Sequence, residues 1–111
     1  MSELEAVLFA NESFYLAFSN RDLTAMDELW SREHEVACIH PGWQPLAGRE
    51  EVMESWAGIL SNSEAPRISC RAPRAFLAGG AAFVTCFEVI GRGALVATNV
   101  FCREEGLWKL V

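Results

Sequence analysis

The chain has 111 residues, 51% of them hydrophobic, with four Trp and seven Phe, which is enough for one domain with a packed core. Its formal net charge of −6 repels phosphate backbones and so argues against a nucleic-acid partner. Its apolar runs are too short to span a bilayer, and its acidic start lacks the charged-then-apolar order of a signal peptide. A soluble cytoplasmic protein with no membrane partner is therefore expected.

Leu4, Val7, Leu8, Asn11, Phe14, Tyr15 and Phe18 recur at three- and four-residue steps, which predicts a first helix. Residues 20–22 break that stripe, and Asp22 is a good N-cap for a second helix carrying Leu23, Met26, Leu29 and Trp30 inward. Residues 35–40 read as a short strand ending at the Pro41-Gly42 turn, and residues 40–48 as irregular. A third helix starts near Arg49, with Val52, Met53, Trp56, Ile59 and Leu60 on its apolar stripe, and Pro66 prevents its resumption.

From Arg67 the period changes to two. Strands are predicted over 67–77, 81–90 and 94–103, joined by turns at Gly79-Gly80 and around Gly91-Arg92-Gly93. A last strand begins at Leu107 after a turn at Gly106. Helices segregated before an antiparallel meander argue an α+β fold rather than a parallel one. Cys38, Cys70, Cys86 and Cys102 are scattered, with no C-x-x-C pair. They fit buried thiols in a reducing compartment, although disulfides stay open.

The order and spacing of FYLAFSNRDLTAMDELW (14–30), HPGW (40–43), GREEVMESW (48–56), TNVF (98–101) and GLWKLV (106–111) resemble the SnoaL-like, ketosteroid-isomerase-like branch of the NTF2-like superfamily. That resemblance covers nearly the whole chain. It implies a cystatin-like cone, with N-terminal helices packed on a strongly curved antiparallel sheet around a pocket. It also implies a single domain over 1–111 whose last strand looks incomplete at the C-terminus, and a homodimer formed through the sheet.

By the same resemblance, His40 takes the place of a general base directly before a proline. Asn99, two residues before Phe101, takes that of a donor to a developing oxyanion. Proton transfer beside a carbonyl needs such a pair, and a neutral-pH imidazole and an amide suit the two roles. Against this, the isomerase tyrosine position falls on Phe14, with Tyr15 about 100° further round the helix. Turn capping by His40 and a bulge at Asn99 are the plainer alternatives.

Glu88 is the second acid–base candidate. Strand parity sets it with Cys86 and opposite Phe87. It either faces the cavity, where desolvation would make it an acid or base, or faces solvent, paired with a cross-strand arginine. The second arrangement is the commoner one. Phe14, Tyr15, Phe18, Trp30, Trp43 and Trp56 are candidate pocket residues, with Trp43 as a lid. Cys38 and His40 are too few ligands for a metal site, and no cofactor is implied.

Three functions follow. The first is binding of a small, largely apolar organic molecule. The second is cofactor-free isomerase, hydrolase or cyclase chemistry on His40 and Asn99. The third is a protein-interaction or assembly role for the outer sheet face.

Overall fold

A computed structural model describes residues 1–111. Helix α1 spans Glu3–Ser19 and starts at a capping box, in which Ser2 and Glu5 exchange side-chain bonds to each other's backbone N–H. It buries Val7, Ala10, Asn11, Phe14, Tyr15 and Ala17. Arg21 takes a left-handed φ of 55° at the break, and Asp22 then caps α2 (Leu23–Leu29) by accepting from the N–H of Ala25 at 3.0 Å.

Trp30 lies just past α2 in extended backbone, not on the helix, and bridges Leu110. The Arg49 guanidinium gathers this helix end. It donates to the carbonyls of Asp27 and Trp30 and to the Asp27 carboxylate at 2.6 Å.

The strand expected over 35–40 shrinks to β1 (Ala37–Cys38). It pairs antiparallel with β2 (Leu46–Ala47), which lies within the segment read as irregular. Two-residue strands carry too little periodicity to be seen between Pro45 and Gly48. Between them, the Trp43 N–H donates to the His40 carbonyl at 2.9 Å. Pro41 and Gly42, the latter at φ 82°, occupy the two central positions of the turn as a type II geometry requires. Helix α3 follows at Arg49–Ser61 and buries Val52, Trp56 and Leu60.

The main sheet has the order β3-β4-β5-β6, all antiparallel, from Ser69–Ala78, Ala81–Ile90, Gly93–Glu104 and Leu107–Leu110. The register places Cys70, Glu88 and Leu95 in one row, and Ala75, Val84 and Asn99 in another. With Cys86, Ala97 and Phe101 these residues form the face turned to the helices. Strand β3 breaks register between Arg71 and Arg74, where Ala72 has φ 54° and Pro73 has no N–H to give. Such a bulge bends the strand and increases its twist. The helices pack on this face, as an α+β cone requires.

Glu104, at the end of β5, ties the sheet to the loop after α2. Its carboxylate accepts from Ser31 Oγ at 2.5 Å and from the N–H of Arg32 at 3.0 Å. These bonds, the Ser31 bond foremost, hold its carboxyl below the ordinary 4.5. Its stabilisation is therefore complete above about pH 4.5 and fades as pH falls through the lower folded value. Glu104→Ala should cost about 1–2 kcal/mol at pH 7 and flatten the acid limb of stability, as read by urea unfolding at a series of pH values. An unchanged acid limb would remove Glu104 from that role.

Candidate functional site

Between the sheet and the helices lies a cavity of about 800 Å³. Of the 21 residues lining it, 15 are hydrophobic, so an apolar molecule is its natural complement. The aromatic wall comes from α1 and α3. Phe14 and Phe18 each meet Trp56 edge to face at a centroid separation of 5.5 Å. Trp30 closes the wall from the loop after α2.

One side of the cavity carries a polar chain that runs from α1 across the sheet. Tyr15 Oη donates to Glu88 Oε2 at 2.6 Å. Asn99 Nδ2 donates to Tyr15 Oη at 3.1 Å and to Asn11 Oδ1 at 2.8 Å. Asn11 Nδ2 reaches Cys70 Sγ at 3.6 Å, and Cys86 Sγ lies 3.3 Å from Tyr15 Oη. The single tyrosine proton goes to the carboxylate, so the Cys86 thiol donates to the phenol oxygen. Burial, then the Cys86 and Glu88 bonds, push the Tyr15 phenol far above its ordinary 10.0. Burial also pushes the Cys70 thiol up to about 12.

His40 occupies the other side and is 5% exposed. Ser55 Oγ donates to the Val52 carbonyl at 2.6 Å, so at 2.8 Å from His40 it must accept, and His40 Nε2 carries the proton. Nδ1 is left with its lone pair, near only the Cys38 sulfur at 3.8 Å. Burial lowers the His40 pKa, so the ring is neutral at pH 7. The same burial raises Cys38 to about 11, which keeps it a thiol.

The structure thus distributes the sequence candidates unevenly. His40, Asn99, Glu88, Phe14, Tyr15, Phe18, Trp30 and Trp56 all line the cavity. Trp43 does not. It is 49% exposed, sits edge-on to His40 at 4.9 Å, and faces a shallow groove beside α3.

Glu88 departs from the surface pairing that was the commoner expectation. Arg71, its expected kind of partner, instead covers Phe87 on the opposite face at 5.6 Å. Asn99 reaches the cavity, but both its amide hydrogens are engaged by Asn11 and Tyr15, so none is free for an oxyanion. Tyr15, one position beyond the expected tyrosine site, supplies the hydroxyl that Phe14 lacks. Asn11 and Ser55 were missed. Asn11 on an apolar helical stripe was a usable signal, whereas nothing local distinguished Ser55.

A model of the SnoaL-like domain matches residues 7–111. The chain belongs to the SnoaL-like family. Among solved structures, this SnoaL-like chain is 35% identical to a candidate dehydratase of the NTF2-like family from Streptomyces avermitilis. The TM-score is 0.85, and the match covers 97% of this chain and 90% of the other. It is 33% identical to a candidate calcium/calmodulin-dependent protein kinase type II association domain from Thiobacillus denitrificans, with a TM-score of 0.73 and coverage of 92% and 86%. Among curated proteins it is 28% identical over 108 residues to F-box protein SKIP8 of Arabidopsis thaliana. The SnoaL-like chain spans 47% of the length of that relative, and the match takes in 96% of its own. No helix is long and apolar enough to cross a membrane.

Proposed function

We propose that this SnoaL-like chain binds a small, largely apolar organic molecule in the cavity between α1, α3 and the sheet. The observation that carries the reading is the cavity's volume of about 800 Å³ with its hydrophobic wall. The outer sheet face is also apolar. Phe76 stacks on Phe83 at 4.9 Å, and Phe87, Val96, Val100 and Leu107 are exposed, which supports a homodimer through that face.

Native mass spectrometry of the protein from its own source cells tests both points at once. The expected result is a dimer that releases a small molecule on denaturation. Ala97 lies on the cavity wall, so Ala97→Phe should fill the space and abolish the adduct while the dimer persists. A ligand-free wild type, or an adduct untouched by A97F, would overturn the pocket reading, and a monomer would overturn the dimer.

A second reading rests on His40, whose Nδ1 lone pair belongs to a neutral, cavity-lining ring. It could act as a general base on a bound substrate. His40→Ala would then abolish turnover of the ligand so identified without releasing it, and full retained turnover would end that reading. The assembly role draws support from the association domain similar to this chain, and higher-order assemblies in the same spectra would favour it.

A further inference from the structure

The polar side chains of the cavity wall share one property, which is that they offer acceptors and no free donor. Tyr15 gives its only proton to Glu88 Oε2, and Asn99 gives both amide hydrogens to Tyr15 and Asn11. His40 gives its Nε2 proton to Ser55. Three acceptors remain without a strong partner: Glu88 Oε1, Asn99 Oδ1 and His40 Nδ1.

The indole N–H groups of Trp30 and Trp56 are sealed from contact, and they are the only buried polar side-chain atoms without a partner. Glu88 Oε1 and Asn99 Oδ1 are thus unpartnered but still accessible. The thiol of Cys38 is a weak donor held against the His40 ring, and strand parity turns Thr98 to the outer face.

Charge points the same way. Glu88 is the only formally charged side chain among the lining residues, and no lysine or arginine faces it. It takes part in none of the salt bridges. A ligand that covered it without a cation or donor would bury an uncompensated carboxylate, which is strongly unfavourable. The chain's net charge of −6 attracts cations and repels anions before contact. The ring faces and edges of Phe14, Tyr15, Phe18 and Trp56 suit the body of such a ligand and tolerate a cation beside them.

We propose that the cavity selects an apolar amine, whose ammonium group donates to Glu88 Oε1 and Asn99 Oδ1 while its hydrocarbon or aromatic body lies against Phe14, Phe18 and Trp56. This rests on the pocket reading above and adds the chemical class of ligand to it. It also separates the site from one built around an oxyanion, which needs converging donors.

Isothermal titration with three probes of one shape tests it: 2-(2-naphthyl)ethylamine, 2-(2-naphthyl)ethanol and 3-(2-naphthyl)propanoate. At pH 7 the ammonium should bind at least about tenfold more tightly than the alcohol, and the carboxylate most weakly. In Glu88→Gln, the ammonium and alcohol affinities should converge to within about threefold, with alcohol binding retained. An alcohol or carboxylate that binds as tightly as the amine overturns the amine assignment and leaves the pocket reading standing. An ammonium preference that survives in E88Q overturns Glu88 as the group that selects the amine, and likewise leaves the pocket reading standing. Failure of all three probes to bind overturns both.

Discussion

Trp56→Ala should lower the stability of the folded chain by about 3–5 kcal/mol, the largest loss expected from any single aromatic truncation here. Trp56 is 2% exposed and reaches from α3 to the aromatic side chains of α1. Its ring is edge-on to Phe14 and Phe18 at 5.5 Å and to His40 at 4.7 Å. Truncation leaves a void beside an existing cavity, so neighbouring side chains have little reason to refill it. His40 also loses one wall of the slot that orients it. Trp56→Phe should cost much less than the volume change alone suggests. The indole N–H has no partner, and its removal also removes a desolvated donor. Urea unfolding followed by far-UV circular dichroism measures both. A loss below about 1 kcal/mol for W56A would mean that this side chain is not the keystone of the aromatic wall.

The helices and the three long strands were legible because their residues obey one period each. The 3.6-residue stripe ending at Phe18 and the alternation from Ala81 to Ile90 survive in the structure within a residue or two. Asp22 as a cap was legible for the same reason, since its bond to Ala25 is local. What escaped is non-local. The pairing of β1 with β2 is settled across the Pro41-Gly42 turn and by Val111, whose carbonyl accepts from the N–H of Ala37 at 2.9 Å. The bulge at Ala72-Pro73 breaks the alternation of β3, so that Cys70 and Ala75, an odd number of positions apart, share one face. At the site, parity correctly paired Glu88 with Cys86 but could not say which face is concave. The answer depends on Tyr15, 73 residues earlier in the chain. Asn99 could be placed near a pocket from its strand, but its hydrogen-bond partners Asn11 and Tyr15 come from α1. Whether an amide is free to donate is decided by its neighbours in space, which a single sequence does not list.

Tyr15→Phe should cost about 2–3 kcal/mol, part of it through the lost bond to Glu88 and part through the two donors left behind. The hydroxyl is the one acceptor shared by Asn99 and Cys86, and it is the donor to Glu88, so its removal leaves an amide hydrogen and a thiol unpaired at the cavity wall. Glu88→Gln alone keeps an acceptor in place and should cost about 1 kcal/mol or less. The double variant should fall short of the sum by about 1–2 kcal/mol, whereas additivity within about 0.5 kcal/mol would show that the two side chains act independently. Tyr15 is the only tyrosine in the chain, so its ionisation can be followed by ultraviolet absorbance without overlap from another. Its folded pKa is raised, so the unfolded chain loses the phenolic proton first, near 10.0, while the folded one retains it. Stability from this group is therefore complete below that value. Above it, stability should fall by about 1.4 kcal/mol for each further pH unit. The phenolate band should appear only as the fold is lost, and the alkaline limb of Y15F should be shallower, keeping only what the raised Cys38 and Cys70 thiols contribute. A phenolate that forms near pH 10 in a chain still folded by circular dichroism would mean that the Tyr15 hydroxyl is not held between the carboxylate and the amide.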